Sequence, residues 1–133
     1  MKKENLIHAR TCVYNVNYHI VFSTKYRKAV LKGGVEEYLK QLFKDIADEK
    51  GFTISSMEVM EDHVHLFVKA PPTASPHWIV QQLKGYTSHE LRKEFSHLKS
   101  RLPTLWTRSY YVESCGHISE QTIKRYIEEQ KNK

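Results

Sequence analysis

Residues 57–69 read M-E-V-M-E-D-H-V-H-L-F-V-K, and the second half of this stretch alternates like a β-strand. Successive side chains on a strand point to opposite faces, so His63, His65 and Phe67 share one face. The opposite face carries apolar side chains that are suited to a core: Val64, Leu66 and Val68. The stretch therefore predicts a strand with one core-facing side and one side that bears two imidazoles.

The two histidines are candidate metal ligands. Their Cα atoms lie roughly 6–7 Å apart on a strand, and each ring can offer one nitrogen to a shared ion. A pair of surface or half-buried histidines without any ligand explains the spacing equally well. The His-x-His pattern becomes a strong indication only when a third ligand and a nucleophile accompany it.

The rest of the chain supplies the other elements. Residues 14–23 and 52–60 alternate as strands, and 106–113 reads as a less regular strand. Helical spacing of apolar residues covers 35–50, which Gly51 ends, and about 76–97, which follows Ser75 and Pro76. Residues 98–107 are expected to be irregular. Between 60 and 63, a single bent strand and a hairpin are both compatible with the sequence.

The order of these elements predicts the fold. Residues 1–11 are expected to form a loose arm, and Ser119 is a candidate N-cap for a last helix at 119–131. The order β-α-β-β-α-β plus a C-terminal helix predicts an α+β, ferredoxin-like (RRM-like) antiparallel sheet with helices on one face. The length of 133 residues fits a single domain, 1–133.

Composition narrows the environment and the partners. No apolar run approaches the ~20 residues that cross a bilayer, and no apolar segment follows the basic N-terminus, so a cytoplasmic protein without a membrane partner is expected. Cys12 and Cys115 form no C-x-x-C pair, which favours reduced thiols. The net charge of +6 points mildly to a polyanionic partner.

The last predicted helix contains a possible nucleophile. Tyr126 and Gln130 are four residues apart and share one face, flanked by Ile123 and Ile127. Tyr126 can simply belong to the apolar stripe that docks this helix. Alternatively, its hydroxyl acts as a nucleophile and the Gln130 amide oxygen serves as a third metal ligand beside the histidines.

Several motifs together resemble a known family. The H-V-H motif at 63–65 matches the signature of the HUH nucleases, and Y-I-E-E-Q at 126–130 resembles the single-tyrosine helix of transposases of the insertion-sequence 200/605 group. Three further stretches resemble that group in the same order: Y-H-I-V-F with K-Y-R at 18–27, K-G-Y-T-S at 84–88 and L-P-T-L-W at 102–106.

The resemblance implies a metal-dependent transposase that acts on single-stranded DNA. Tyr126 would be the nucleophile that forms a 5′-phosphotyrosine, and the metal ligands would be His63, His65 and Gln130. Mg²⁺ or Mn²⁺ would be the cofactor, with Zn²⁺ or Ni²⁺ compatible with imidazole in an isolated sample. The partners would be DNA hairpins at element ends and a second copy of the chain, in a homodimer whose active sites can be shared.

Basic and aromatic residues are candidates for DNA contacts, because cations bind phosphates and aromatic rings stack on unpaired bases. They form two groups along the chain: Lys25, Tyr26, Arg27 and Lys28, and then Lys84, Gly85, Tyr86 and Arg92. A solvated surface explains either charge group without DNA.

Three alternatives to the transposase remain open from the sequence. A basic ferredoxin-like sheet with aromatic residues also serves non-catalytic binders of DNA or RNA hairpins. A metal-dependent hydrolase would use the histidines without the tyrosine. A domesticated relative would process genomic repeats instead of moving an element.

Overall fold

The structure is a computed structural model that describes residues 6–114 and 127–129. Its helices and strands follow in chain order: β1 (Ile7–His8), β2 (Val13–Tyr14), β3 (Val16–Ser23), α1 (Gly34–Lys50), β4 (Thr53–Val59), β5 (His63–Ala70), α2 (Pro76–Glu94), α3 (Ser96–Arg101) and β6 (Tyr111–Ser114). A single 3-10 turn, Lys25–Arg27, lies between β3 and α1.

The main sheet has the strand order β4-β5-β3-β6, and every neighbouring pair is antiparallel. The helix α1 connects β3 to β4, and α2 lies on the connection from β5 to β6, so each helix joins two strands that are not neighbours. This arrangement confirms the predicted ferredoxin-like α+β fold. The histidine strand β5 is central, which fixes it from both sides.

The two long helices cover the apolar face of the sheet. Their buried side chains share one core with Ile20, Phe22, Val64, Leu66 and Val68. Gly51 ends α1 in the left-handed conformation with φ 84°, as the sequence predicts. The Ser75 hydroxyl accepts a hydrogen bond from the Trp78 amide at 3.0 Å and caps α2.

The alternative left open at residues 60–62 is resolved in favour of a hairpin. The Met60 amide donates to the His63 carbonyl at 2.9 Å and closes the loop between β4 and β5. A bulge interrupts the pairing between Ile54 and Ser56, and the hydroxyl of the intervening Ser55 donates to the Phe67 carbonyl at 3.0 Å. The hairpin places His63 at the first position of β5.

Three boundaries differ from those predicted. Residues 96–101 form a helix because the fully buried Leu98 anchors a segment with little periodic pattern of its own. The last strand is limited to Tyr111–Ser114, since the Trp106 indole packs edge-on against Phe22 and donates to the Thr87 hydroxyl at 3.0 Å. The predicted loose arm at 1–11 contains β1, which pairs with β2 just after the arm.

The predicted C-terminal helix at 119–131 lies outside the described residues except for 127–129, which are helical. Within the described part of the chain, none of the helices combines the length and the apolar character that crossing a membrane requires.

Candidate active site

The two histidines of β5 share the sheet face that turns away from the helices. His63 and His65 are half-buried, whereas Val64, Leu66 and Val68 between and beyond them are buried in the core. The ring centroids of His63 and His65 lie 5.1 Å apart. Strand alternation therefore predicts the facing of both imidazoles correctly, and the rings are close enough to converge on one ligand.

Asp62 fixes the orientation of the His63 ring. Its Oδ1 lies 2.7 Å from Nδ1 of His63. A carboxylate can only accept, so Nδ1 of a neutral His63 carries the proton and donates it. The lone pair of the neutral ring is then on Nε2, the nitrogen that remains for a metal ion or a substrate.

His19 has the same relation to His65. Nε2 of His19 lies 3.1 Å from Nδ1 of His65, and the His19 ring stacks on Phe67 with centroids 4.3 Å apart. If His65 donates from Nδ1, its Nε2 is free as a ligand and His19 carries its proton on Nδ1. That Nδ1 is buried and has no hydrogen-bond partner among the described residues.

The charges of the site suit a Lewis acid. Burial, reinforced by the neighbouring His63 and His19, lowers the pKa of His65 to about 4, which keeps this ring neutral at physiological pH. Burial alone would raise the pKa of Asp62, but the hydrogen bond from His63 and the adjacent Arg27 lower it. The site therefore combines a neutral imidazole at His65 with an ionised carboxylate at Asp62 that contacts the neighbouring His63 ring, and both features suit metal-binding histidines.

The predicted third ligand and the predicted nucleophile lie outside the described residues. Residues 6–114 and 127–129 contain no cluster of three or more His, Cys, Asp or Glu side chains that could hold a metal ion. The predicted amide ligand Gln130 and the predicted nucleophile Tyr126 flank the described helical residues 127–129, so their positions stay predictions.

Arg27 connects residues 127–129 to the loop 60–62 between β4 and β5, which directly precedes His63 and is called the histidine loop here. Its Nε and one terminal nitrogen each lie 2.9 Å from Oδ2 of Asp62. Its other terminal nitrogen donates to the Ile127 carbonyl at 3.2 Å and lies 3.8 Å from a carboxylate oxygen of Glu128. The sequence indicates only a DNA contact for Arg27, because local patterns give no sign of contacts 35 and 100 residues away.

The other members of the first predicted DNA-binding group lie beside the histidine loop. Tyr26 is 48% exposed, Lys28 is exposed, and the Lys25 ammonium lies 5.0 Å from the centre of the Tyr26 ring. The Thr24 amide donates to the Asp62 carbonyl at 2.9 Å, which holds this segment against the loop. A cation and an accessible ring are thus available close to the imidazoles.

The second predicted group lies on α2, in the helical layer on the other side of the sheet. Lys84 donates to the carbonyls of Thr107 and Ser109 at 2.7 and 2.8 Å, and Arg92 donates to the Leu102 carbonyl at 3.4 Å. Gly85 and Tyr86 are exposed, and a Cβ added at Gly85 would have nothing within 4 Å among the described atoms other than its chain neighbours and the nearby backbone of its own helix. The structure does not bring this group together with the histidines.

The chain is similar in sequence to known transposases. The family model described as "Transposase IS200 like" matches residues 12–130. The chain is 36% identical to the ISDra2 transposase TnpA of Deinococcus radiodurans over 126 residues, which are 93% of this chain and 90% of that protein. It is 31% identical to the transposase for insertion sequence element IS200 of Salmonella typhimurium, over 97% of this chain and 86% of that protein.

Solved structures show the same fold. A crystal structure of a Deinococcus radiodurans R1 protein described as a transposase superposes with a TM-score of 0.84 at 37% identity, over 93% of this chain and 97% of that one. A REP-associated tyrosine transposase bound to a REP hairpin superposes with a TM-score of 0.55 at 12% identity, over 91% of this chain and 67% of that one. The second match supports the fold alone.

Proposed function

Because this chain belongs to the family of IS200-like transposases, we propose that it cleaves and rejoins single-stranded DNA at element ends through a covalent 5′-phosphotyrosine. The observation that carries this proposal is the imidazole pair, with each Nδ1 engaged by a neighbour and each Nε2 left for a ligand. The residues that complete the set, Tyr126 and Gln130, follow in the matched region.

The reaction exchanges one phosphoester bond for another. The Tyr126 oxygen attacks the phosphorus atom, the bond from phosphorus to the 3′ oxygen breaks, and the phenol proton is transferred so that a 3′-hydroxyl is released. In the rejoining step, the 3′-hydroxyl of another strand attacks the phosphotyrosine and restores the phenol. The number of phosphoester bonds is conserved, so the exchange needs no nucleotide cofactor.

We propose Mg²⁺ or Mn²⁺ as the metal, held by His63, His65 and Gln130. A bound divalent ion would polarise the scissile phosphate and orient its oxygens. The chain's own contribution is to hold the two rings with their Nε2 atoms available, through Asp62 and His19. Because imidazole and amide ligands carry no negative charge, a bound ion would keep its positive charge for the phosphate.

The proposed substrate is single-stranded DNA with a hairpin, and the proposed assembly is a homodimer in which one subunit's tyrosine can serve the other subunit's histidines. The exposed Tyr26 and Lys28 beside the histidine loop support DNA on that side of the sheet, because an aromatic ring and a cation suit an unpaired base and its phosphate.

The deciding experiment traps the covalent intermediate. The protein is incubated with single-stranded element-end DNA and Mn²⁺, and the adduct is resolved on a denaturing gel. We expect an adduct that Tyr126→Phe reduces by on the order of 1,000-fold or more, since the nucleophile is lost. His63→Ala and a chelator should also suppress it.

The control is Tyr38→Phe, which removes a phenol from the helical layer and should leave adduct formation unchanged. Strand cleavage with turnover but without an adduct would identify a hydrolase that uses water. Binding of the hairpin that is indifferent to both chelator and Tyr126→Phe, with no cleavage, would identify a non-catalytic binder. Either result would contradict the proposal.

A further inference from the structure

Arg27 makes contacts that its assignment to DNA does not account for. Its side chain is only 16% exposed. Nε and one terminal nitrogen contact Asp62, and the other terminal nitrogen donates to the Ile127 carbonyl. The planar guanidinium therefore donates hydrogen bonds in two directions within the chain. It does not present a pair of free N–H groups to a phosphate.

The backbone around Arg27 is held in an unusual conformation to achieve this. Tyr26 and Arg27 have φ values of 58° and 53°, and they are the only non-glycine residues with positive φ in the part of the chain that the structure describes. Side chains disfavour this region, so it persists only where surrounding contacts impose it. Here the Thr24 hydroxyl donates to the Lys28 carbonyl at 2.7 Å, and the Arg27 amide donates to the Thr24 carbonyl at 2.9 Å.

The contacts form a continuous path from the imidazole to the C-terminal residues. His63 donates to one carboxylate oxygen of Asp62, Arg27 binds the other, and the far side of Arg27 holds the Ile127 carbonyl. Ile127 directly follows Tyr126 in the sequence. Arg27 therefore contacts both the group that orients His63 and the carbonyl of the residue that follows the proposed nucleophile.

We propose that Arg27 is a positioning residue that couples the seating of the C-terminal segment to the orientation of the His63 ring. Docking of residues 127–129 completes the coordination of the guanidinium, which in turn holds Asp62 against His63. This inference rests on the proposed function for its catalytic meaning, but the coupling itself is a structural property that is measurable without DNA or metal.

The test compares Arg27→Gln and Arg27→Lys with Arg101→Gln, an exposed arginine at the end of α3. In the metal-free protein, hydrogen exchange of the peptide that contains 127–129 reports seating, and the ¹⁵N shifts of the His63 ring report its tautomer. We expect both Arg27 variants to accelerate exchange and to shift the His63 signals, whereas Arg101→Gln leaves both unchanged. Arg27→Lys should not restore the wild-type exchange rate or the wild-type His63 signals, since an ammonium group lacks the planar, two-directional donor geometry of a guanidinium.

A second variant tests whether the effect depends on the whole path of contacts and not on the loss of the Arg27 side chain alone. Asp62→Asn interrupts the path at its middle, so it should accelerate exchange at 127–129 although it leaves Arg27 in place. Because the residues act as one unit, the double variant Arg27→Gln/Asp62→Asn should add little to either single change. Exchange at 127–129 that remains at the wild-type rate in Arg27→Gln or in Asp62→Asn would overturn the inference.

The activity arm separates positioning from DNA binding. At saturating DNA, Arg27→Gln should slow adduct formation by about 10–100-fold, as loss of a group that orients a ligand does, while the hairpin Kd changes by less than about threefold. A weakened Kd with an unchanged rate at saturation, rescued by Arg27→Lys, would instead assign Arg27 to a phosphate. If the wild type forms no adduct, the proposed function fails, and the exchange and imidazole measurements alone decide the coupling.

Discussion

At the scale of single residues, the histidine site depends on which ring nitrogen each neighbour occupies. Asp62 contacts Nδ1 of His63 and His19 contacts Nδ1 of His65, although Asp62 lies in the loop between β4 and β5 and His19 lies on β3. The sequence predicts the facing of His63 and His65, because alternation is a local property. It also puts His19 on the polar face of the first strand, where this residue either borders the site or is a structural histidine. It does not predict the contact with His65, because the register of β3 against β5 brings together residues 46 apart.

The role of His19 leads to a prediction. His19→Phe preserves the ring that stacks on Phe67 but removes the nitrogen that contacts His65. We expect the affinity for Mn²⁺, measured by isothermal titration calorimetry, to fall by about 10–100-fold, because the His65 ring loses the partner that orients it. A melting temperature close to that of the wild type would show that the sheet is intact, and unchanged Mn²⁺ affinity would contradict the role.

At the scale of elements, Lys84 is one of the residues that tie α2 to the segment that leads into β6. Lys84 donates to two carbonyls, of Thr107 and Ser109, and its ammonium lies 5.4 and 5.7 Å from the ring centres of Phe22 and Tyr110. Burial lowers the pKa of Lys84 to about 8. The K-G-Y-T-S motif thus includes a residue with a structural attachment, whatever its part in DNA binding.

This depressed pKa predicts how stability depends on pH. Between about pH 8 and the ordinary lysine value of 10.5, the unfolded chain binds more protons at Lys84 than the folded one, so the free energy of unfolding contributed by this residue rises with pH. In urea titrations across that range, the wild type should gain stability relative to Lys84→Met. The same change at the exposed Lys44 of α1 controls for loss of a positive charge, and parallel pH profiles for wild type and Lys84→Met would contradict the prediction.

The elements also show where sequence patterns stop being informative. The helix α1 begins and ends within one residue of its predicted bounds, because its apolar spacing and Gly51 are both local signals. The helix α3 was missed because it is stabilised by one buried side chain, Leu98. The predicted strand at 106–113 begins too early. Trp106 has strand-like neighbours in sequence, but it forms an isolated bridge to Thr24 and its side chain packs into the core.

At the scale of the whole molecule, the two predicted DNA-binding groups lie in different parts of the fold. Lys28 and Tyr26 adjoin the histidine loop, whereas the second group belongs to the helical layer. The sequence predicted the fold from element order but could not place charges relative to the sheet. That placement depends on which face each helix covers, and so on the assembled core.

This separation predicts an asymmetric effect of charge removal. Lys28→Gln and Lys93→Gln each remove one exposed cation, the first beside the histidine loop and the second in the last turn of α2. If the strand crosses the histidine face, Lys28→Gln should weaken hairpin binding and reduce the slope of log Kd against log salt by about 0.7. Lys93→Gln should change the slope less when both are measured by fluorescence anisotropy, and equal slopes would place the strand elsewhere.

The bulge in β4 affects how readily a strand of another chain can pair with this edge of the sheet. Strand β4 lies at the rim of the described sheet, and the irregularity between Ile54 and Ser56 breaks the even ladder of amide and carbonyl groups there. A foreign strand that approached this rim would find the repeat out of step and the backbone twisted away. The interruption therefore disfavours the repeated edge-to-edge pairing of chains from which fibrils grow.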